Sequence, residues 1–487
     1  MAKALMIQGT GSNVGKSVLV AGLCRALTQL GHRVRPFKPQ NMSNNAAAIP
    51  GGELSRAQAL QARACRTDPT VDMNPILLKP EGESGAQVIV LGRKYATLSA
   101  KEYFAHKPEL LKSVIASYHR VAKDADIVIV EGAGSPAEIN LRDGDIANMG
   151  FATEVSIPVV LVADIERGGT IAQLVGTKEV IGEFDSALIR GFAVNKFRGD
   201  PDLFTEGVKF IEEKTGWKSL GVVPWFDKAR MLPAEDAQDL ANIKPLGGPT
   251  KIVCLKLPRI ANFDDLDPLR MEPDLSVSLL ERGCSLPGDV DLVIIPGTKA
   301  TMHDLEFLRN QGWDVDLHAH VRRGGAVLGI CGGYQMLGRF VSDPLGVEGT
   351  PGQIEGLGLL DAKTVMTKEK RVTPVTAADE SGKYPFNAYE IHMGRTSGPD
   401  LQRPFAQVKT NGAFEPEGAV SENGRVFGTY LHGLFADDLT RSRFLSRLGM
   451  EPSRLNYEAS VETTLDALAN HLRTHLDIKR LLALMEG

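Results

Sequence analysis

The order of apolar and polar residues along the chain predicts its fold class. Short runs rich in valine and isoleucine recur, for example at Ala4–Gln8, Asp126–Val130 and Val159–Val162, and stretches with helical periodicity separate them. Strands that are apolar throughout and alternate with helices are typical of parallel sheets covered on both faces. The pattern therefore predicts an α/β protein built from two doubly wound domains with mostly parallel sheets.

Length and the placement of proline and glycine divide the chain into domains. A chain of 487 residues is too long for one hydrophobic core, so two or three domains are expected. The Pro- and Gly-rich stretch 243–250 is the clearest boundary, because a new apolar strand follows it. We predict a first domain over 1–245, a linker over 246–250, a second domain over 251–445 and a helical C-terminal tail over 446–487.

Charge and cysteine usage exclude several function classes. The net charge is −5 and no basic block occurs, so the sequence does not indicate binding to nucleic acid or to an anionic membrane surface. No apolar run is long enough for a membrane span, and the N-terminus passes straight into a motif, without room for a signal peptide. The five cysteines are odd in number and widely spaced, which argues against a disulfide framework. A cytoplasmic protein is expected, and a homo-oligomer stays open.

A glycine-rich loop between the first strand and the first helix predicts a nucleotide site. Small residues there let backbone N–H groups surround phosphate oxygens. These residues are Thr10, Gly11, Ser12, Asn13, Val14 and Gly15. Lys16 would neutralise the outer phosphates, and the Ser17 hydroxyl would bind Mg²⁺. The loop departs from the usual pattern at Thr10, where glycine is common, and a chance glycine turn is the alternative interpretation.

Polar residues at later strand ends extend this site. Glu131 ends an apolar strand, where a carboxylate is well placed to hold the Mg²⁺ of a bound nucleotide. Asp164 ends the next strand and either joins the same site or caps the segment after it. Asn195 comes after a further strand, and given the phosphate loop we expect its amide to contact the adenine edge.

The loop after the second strand is rich in amides and is a candidate substrate site. Lys38, Gln40, Asn41 and Ser43 lie where substrates bind in open α/β sheets, and they could hold a ligand rich in carboxylates. A solvated turn is an equally good interpretation from sequence alone. Glu53 in the next loop is either a metal ligand or a charge at a helix N-terminus.

Together these residues resemble the dethiobiotin synthetase family of P-loop enzymes, through the stretches Gly9–Ser17 and Val130–Gly134. The resemblance implies a P-loop NTPase-like fold and the activation of a carboxylate by ATP as a mixed anhydride. It also implies that Ser17 and Glu131 hold Mg²⁺ and that Lys38 faces the substrate.

The second half contains a strand, a sharp turn and a helix, with Cys331 at the turn. A cysteine at such a turn is pushed out of the sheet, and its neighbours must be small, a demand met by Gly329, Gly332 and Gly333. The N-terminus of the next helix favours the thiolate, the form that attacks carbon. A buried structural cysteine is the alternative, and the turn alone does not decide between them.

A nucleophilic cysteine needs a base, and His432 is the leading candidate. It comes after a strand and precedes a glycine, so it would stand with Cys331 at one edge of a sheet. His392 is the rival, and a structural role for His432 is the alternative. Gly297 lies after another buried strand in a tight turn, whose backbone N–H groups can stabilise an oxyanion.

The stretches Gly329–Gln335 and Tyr430–Phe435 are similar to the glutaminase domain of class I amidotransferases. The resemblance implies that Cys331 and His432 are catalytic. The candidates for oxyanion and glutamine binding are Gly297, Gly332, Gly333 and Gln335. Most of these domains carry glutamate two residues after the histidine, whereas this chain has Leu434. The pair therefore acts as a dyad or takes an acid from elsewhere, with Glu390 as one candidate.

The order of all these motifs, from Ala4 to about Phe435, is similar to the cobyric acid synthase family. This resemblance implies ATP- and glutamine-dependent amidation of a corrinoid, adenosylcobyrinic acid a,c-diamide, at carboxylates b, d, e and g. Mg·ATP and glutamine would be co-substrates, without a tightly bound organic cofactor. One alternative is a cobyrinic acid a,c-diamide synthase. Another, of a different class, is a partitioning-type nucleotide-switch ATPase, although the lysine usual in such proteins is replaced by Gly11.

Overall fold

The computed structural model describes residues 2–81, 85–233, 247–451 and 453–486. These residues form two compact units, neither of which is one continuous segment. Unit 1 consists of Met1–Ser43, Glu53–Leu232 and Val461–Gly487, and unit 2 consists of Asn44–Gly52 and Pro233–Ser460. The predicted domains, by contrast, were continuous. Residue 246 of the predicted linker, and 243–246 of the boundary stretch, lie outside the described residues.

Unit 1 is built on a parallel sheet of six strands. In spatial order these are Lys218–Pro224, Ile189–Phe197, Val159–Asp164, Lys3–Gly9, Ile127–Glu131 and Val34–Phe37. The two strands Ile127–Glu131 and Val159–Asp164 are buried at every position, as strands covered on both faces must be. They flank Lys3–Gly9, so the residues that come after these three strands meet at one edge of the sheet.

Helices and a smaller sheet complete unit 1. Its helices are Lys16–Gln29, Arg56–Ala64, Ala100–Lys123, Met149–Glu154, Thr170–Val180, Glu183–Ser186, Thr205–Thr215 and Ile478–Leu484. The smaller sheet has the order Gln40–Met42, Ile76–Pro80, Gly85–Val90 and Arg93–Ser99. The short strands Ala46–Ile49 and Gly52–Ser55 form a separate two-stranded sheet, of which Ala46–Ile49 belongs to unit 2.

The helix Tyr457–His475 begins in unit 2, and its residues from Val461 onward belong to unit 1. Glu462 forms ion pairs with the fully buried Arg25 and with Arg63, at 2.7 Å for the latter. A Cβ atom at Gly22 would lie only 2.5 Å from Leu472 Cδ1, so the helices approach closely there. This packing fixes the helix that begins at Lys16.

Unit 2 is also built on a sheet of six strands. In order they are Leu275–Leu280, Thr250–Leu255, Leu292–Ile295, Ala326–Ile330, Val426–Thr429 and Ala419–Val420, and the last alone is antiparallel to its neighbour. Its helices are Leu266–Arg270, Thr301–Asn310, Trp313–Arg322, Gly332–Leu337 and Asp438–Arg447. The two central sheets confirm the predicted α/β class with mostly parallel strands.

Unit 2 also contains a mixed sheet that the sequence pattern did not predict. Its strands are Gly352–Glu355, Phe340–Asp343, Lys363–Asp379, Pro385–Ser397 and Leu431–His432. Ala406–Thr410 pairs with Lys363–Asp379, and Ala413–Glu417 pairs with Ala406–Thr410. The strand Lys363–Asp379 alternates irregularly between exposed and buried residues, which explains why no apolar run marked it. Among the described residues, no helix has both the length and the apolar character needed to cross a bilayer.

Candidate active sites

The predicted phosphate loop joins the strand Lys3–Gly9 to the helix Lys16–Gln29. Gly15 has a φ of 91°, a left-handed conformation in which a side chain would be strained. Lys16 is buried, and its ammonium donates hydrogen bonds to the carbonyls of Gly11 at 2.9 Å and Gly134 at 3.3 Å. The lysine head is thus held across the loop, where the outer phosphates of a nucleotide would lie.

The carboxylate of Glu131 is the centre of the polar cluster in unit 1. It is fully buried, and one oxygen accepts hydrogen bonds from Ser17 Oγ and Lys38 Nζ, each at 2.7 Å. The other oxygen accepts from the side-chain amides of Gln61 at 2.5 Å and Gln58 at 3.3 Å. The structure therefore brings together Ser17, Lys38 and Glu131, three of the predicted site residues.

Gln58 and Gln61 were missed by sequence reasoning. They lie three residues apart on the helix Arg56–Ala64, so both point to the same side. The sequence shows only two glutamines three residues apart in an alanine-rich stretch. This signal is weak, because glutamine is also a common surface residue of helices. They fix the orientation of Glu131.

The remaining predicted substrate residues make hydrogen bonds within unit 1. Gln40 Oε1 accepts a hydrogen bond from Tyr103 Oη at 2.6 Å, and Asn41 Nδ2 donates to Ser55 Oγ at 2.5 Å. The backbone N–H of Ser43 donates to the carbonyl of Leu78 at 3.0 Å. These bonds fix the loop that comes after Lys38.

Glu53, predicted as a metal ligand or a helix-terminal charge, forms a buried ion pair with Lys79. Both side chains are almost completely buried. Burying a carboxylate is costly unless a cation or hydrogen-bond donors compensate, and Lys79 provides that compensation. The charge of Glu53 is therefore balanced without a metal ion.

Asn195 and Lys196 contact the phosphate loop from a neighbouring strand. Asn195 Nδ2 donates to the carbonyl of Val14 at 2.9 Å, and Lys196 Nζ donates to the carbonyl of Asn13 at 2.5 Å. Asp164, which pairs in register with Asn195, accepts from Lys196 Nζ at 2.9 Å and also from the N–H of Glu166. Asp164 thus both belongs to this cluster and caps the next turn.

Cys331 in unit 2 occupies the predicted sharp turn between the strand Ala326–Ile330 and the helix Gly332–Leu337. Its φ is 53°, a strained value for a residue with a side chain. A Cβ atom at Gly333 would overlap the carbonyl of Ile295, so the turn can pack against the next strand only with glycine there. The sulfur of Cys331 lies 3.2 Å from the carbonyl oxygen of Ile391, to which the thiol donates.

Cys331 and His432 converge on Gly297. A Cβ atom built on Gly297 would lie 3.2 Å from His432 Cε1 and 3.6 Å from Cys331 Cβ. Both side chains therefore face the space above this glycine, where a reacting amide group could lie. Gln335, which is predicted to bind glutamine, donates to the carbonyl of Met393 at 2.8 Å and accepts from Thr301 Oγ1 at 3.0 Å.

The acid that orients His432 is Asp265, which sequence reasoning missed. Asp265 Oδ2 lies 2.9 Å from His432 Nδ1, and Oδ1 accepts from the N–H of Gly433 at 2.6 Å. The suggested Glu390 pairs instead with Arg371 at 2.5 Å. With Asp265 accepting from Nδ1, the Nε2 atom is directed away from it, and no hydrogen-bond partner of Nε2 occurs among the described residues. The pair Cys331 and His432 is thus extended to a triad.

The charge state of His432 is set by these neighbours. Complete burial disfavours the imidazolium, but the hydrogen bond to Asp265 and the nearby Cys331 outweigh burial and raise the pKa of His432 to about 9. The ring of Tyr389 stacks on the imidazole with centroids 5.2 Å apart. A protonated imidazole beside a cysteine sulfur can supply the proton that the nitrogen needs in order to leave an amide.

His392, the rival base, lies one residue after the carbonyl that accepts from Cys331. Its ring stacks on Tyr430 with centroids 3.9 Å apart. Within the described part of the chain, neither of its ring nitrogens has a hydrogen-bond partner. The carboxylate oxygen Oε1 of Glu390 lies 3.7 Å from His392 Nε2, beyond hydrogen-bonding distance, so it does not orient this ring as Asp265 orients His432.

Comparisons with known proteins identify the families of the two halves of the chain. Residues 5–238 match the CobQ/CobB/MinD/ParA nucleotide binding domain family, and residues 251–440 match the CobB/CobQ-like glutamine amidotransferase domain family. The matches confirm the predicted order of a P-loop NTPase-like domain followed by a glutaminase-like domain.

Curated relatives match along almost the whole chain. The cobyric acid synthase of Bradyrhizobium diazoefficiens is 59% identical over 486 residues, covering 99% of this chain and 100% of the relative. That of Jannaschia sp. is 59% identical over 483 residues, with 99% of each chain covered. The cobyric acid synthase of Methylorubrum populi is 57% identical over 487 residues, again with 99% of each chain covered.

Proposed function

The chain belongs to the cobyric acid synthase family, and from this premise we propose that it amidates adenosylcobyrinic acid a,c-diamide at carboxylates b, d, e and g. The supporting observation is that one chain contains two reactive clusters of different chemistry. Unit 2 holds a thiol, an imidazole and a carboxylate, and unit 1 holds a phosphate loop beside a buried acid. A site that releases ammonia from glutamine and a site that uses it with ATP account for both clusters.

The two alternative functions explain fewer of these observations. A nucleotide-switch ATPase would leave the triad in unit 2 without a role. A cobyrinic acid a,c-diamide synthase has the same chemistry, but the relatives described above, which match along almost the whole chain, are cobyric acid synthases. The five cysteines are all free, which supports a reducing, cytoplasmic location.

In unit 2, the Cys331 sulfur is the proposed nucleophile. The thiol first gives its proton to Nε2 of His432, and the resulting thiolate attacks the side-chain amide carbon of glutamine, while backbone N–H groups near Gly297 and Gly332 would stabilise the charge on the amide oxygen. His432 donates its Nε2 proton to the departing ammonia while Asp265 keeps the ring oriented through Nδ1. Water then cleaves the thioester, which releases glutamate and restores the thiol.

In unit 1, ATP is proposed to bind the phosphate loop with Lys16 beside its outer phosphates. A carboxylate of the corrinoid attacks the γ-phosphorus, giving an acyl phosphate and ADP; ammonia then attacks the acyl carbon and inorganic phosphate leaves. Lys38 would neutralise the substrate carboxylate, and the loop residues Gln40, Asn41 and Ser43 would flank it. The side-chain amide of Asn195, which lies against the loop at Val14, would contact the adenine edge.

The residues Ser17 and Glu131 fit a Mg²⁺ ion. Both offer oxygen ligands, their oxygens lie 2.7 Å apart, and two glutamine amides fix the carboxylate. When bound, the ion would offset the negative charge of the β- and γ-phosphates. Glu53 is not included in this proposed site because Lys79 balances its charge.

The proposed function is tested by supplying the full set of substrates. With adenosylcobyrinic acid a,c-diamide, glutamine and Mg·ATP, mass spectrometry should show stepwise replacement of carboxylate by amide, and NMR should place the new amides at b, d, e and g. Omitting glutamine or ATP should stop the reaction. Amidation confined to positions a and c of cobyrinic acid would contradict the proposal.

The pH dependence of glutamine hydrolysis tests the triad. Because His432 must carry the Nε2 proton, and its pKa is about 9, the rate should fall as the pH rises through about 9. In the variant Asp265→Asn the imidazolium loses its carboxylate, so its pKa falls and this alkaline limb should move to lower pH. The measurement is glutamate release as a function of pH.

A matched control for this prediction is Asp264→Asn. Asp264 accepts a hydrogen bond from Tyr389 Oη at 2.7 Å and belongs to the same turn as Asp265. This variant should keep the alkaline limb near that of the wild type. An unmoved limb in Asp265→Asn, with glutamate still released, would show that Asp265 does not set the proton affinity of His432.

A further inference from the structure

The segment Asn44–Gly52 belongs to unit 2 by its contacts, although the residues before and after it belong to unit 1. It continues directly from the loop that contains Lys38, Gln40, Asn41 and Ser43. From sequence, the amide-rich stretch up to Asn45 is expected to form one loop. The structure divides it, and the part from Asn44 onward contacts different elements.

The start of this segment exchanges hydrogen bonds with the turn that contains Asp265. Asn45 Oδ1 accepts from the N–H of Phe263 at 3.4 Å, and the N–H of Ala46 donates to Asn262 Oδ1 at 3.0 Å. Asn262 has a left-handed backbone, with a φ of 52°, and starts the turn Phe263–Asp265. Asn45, Ala46 and Asn262 are all buried, so water does not readily replace these bonds.

The next part of the segment packs against the sheet beside the triad. The strand Ala46–Ile49 contacts the strands Lys363–Asp379 and Pro385–Ser397. The strand Pro385–Ser397 supplies the Ile391 carbonyl that accepts from Cys331 and the Tyr389 ring that stacks on His432. The segment therefore contacts both the turn that holds Asp265 and the strand that lies against Cys331 and His432.

We propose that the segment 44–49 couples glutamine hydrolysis to substrate binding. A corrinoid carboxylate that binds at Lys38, Gln40 and Asn41 shifts the chain at Ser43, and the segment transmits this shift to the turn Phe263–Asp265. Asp265 then holds His432 in the orientation that lets it protonate departing ammonia. Asn45 and Asn262 are positioning residues in this scheme, because they act through Asp265. The inference rests on the proposed function.

Coupling glutamine hydrolysis to acceptor binding prevents the loss of ammonia. Ammonia released without an activated carboxylate is protonated in water and lost, so an enzyme that hydrolyses glutamine only beside a bound acceptor avoids waste. Coupling between two ligand sites typically changes affinity or rate by about 5- to 150-fold.

The test compares glutamate release with and without the corrinoid acceptor and Mg·ATP. Wild-type enzyme should be stimulated by about fivefold or more. Asn45→Ala removes the acceptor for the Phe263 N–H and should release glutamate at one rate whether or not the acceptor is present. Its amidation rate with ammonium salts, and its KM for the corrinoid in that reaction, should equal those of the wild type.

The pH profile separates positioning from a structural effect. If the segment acts through Asp265, acceptor binding should move the alkaline limb of glutamine hydrolysis in the wild type but not in Asn45→Ala. The matched control is Asn387→Ala, an exposed asparagine of the strand Pro385–Ser397, which should keep the stimulation.

Several results would overturn the inference. These are an unstimulated wild type, normal stimulation in Asn45→Ala, or an equal loss of glutamine- and ammonia-dependent activity in that variant. A wild type that amidates the corrinoid without any of the expected coupling refutes this inference alone. A wild type that does not amidate the corrinoid refutes the proposed function itself.

Discussion

Alanine in place of Cys331 is expected to lower glutamine-dependent amidation on the order of 10⁴-fold or more, while amidation with ammonium salts continues at the wild-type rate. Without the sulfur no thioester forms, and His432 has no departing ammonia to protonate. Ammonia added to the solution bypasses this step, because the acyl phosphate is made in unit 1. The measurement is amide formation by mass spectrometry with each nitrogen donor, together with glutamate release.

The control for Cys331 is Cys284→Ala. Cys284 is a free and exposed cysteine of the same unit, so its loss tests whether removal of a thiol as such affects activity. This variant should use glutamine normally. If folded Cys331→Ala cannot use ammonia, the division of labour between the two clusters is wrong, and Cys331 would have to act in amidation itself.

The two reactive clusters could be predicted because their central residues lie in contiguous motifs. The phosphate loop requires a strand before it and a helix after it, and the sequence shows both around Lys16. The turn at Cys331 likewise comes after a buried strand and needs small neighbours. Local steric demands of this kind leave a pattern in adjacent residues.

The residues that orient these groups could not be predicted, because they come from distant parts of the chain. Asp265 precedes His432 by 167 residues, and Gln61 precedes Glu131 by 70. Their contacts depend on how strands and turns pack, which apolar periodicity does not encode. Leu434 showed that the usual acid was absent, but the sequence contained no pattern that selected Asp265 over Glu390.

The division into units shows a similar limit. The boundary near 250 is predicted by proline and glycine content, which is a local property. The assignment of Asn44–Gly52 to unit 2 and of Val461–Gly487 to unit 1 depends on tertiary contacts, such as those of Asn45 and Glu462. Neither segment has a composition that distinguishes it from its neighbours.

Methionine in place of Lys16 is expected to lower amidation about 10³-fold with either glutamine or ammonia as nitrogen donor. The substitution keeps the length and the apolar stem of the side chain but removes the cation beside the outer phosphates. Transfer of the γ-phosphoryl group then lacks charge stabilisation, so the acyl phosphate does not form at a useful rate. The measurement is ADP release and amide formation, with basal glutamate release recorded in parallel.

Lys16→Met is therefore the counterpart of Cys331→Ala: one loses amidation from both donors and keeps basal glutamine hydrolysis, and the other loses glutamine hydrolysis and keeps amidation from ammonia. Lys94→Met, at an exposed position on the strand Arg93–Ser99 of unit 1, is the matched control and should behave like the wild type.

Normal ADP release by Lys16→Met would mean that the loop does not bind the reacting phosphates. Loss of basal glutamate release together with amidation would mean that the two clusters do not act as separable sites. Only the opposite losses of the two variants fit a chain in which one unit makes ammonia and the other activates the carboxylate that receives it.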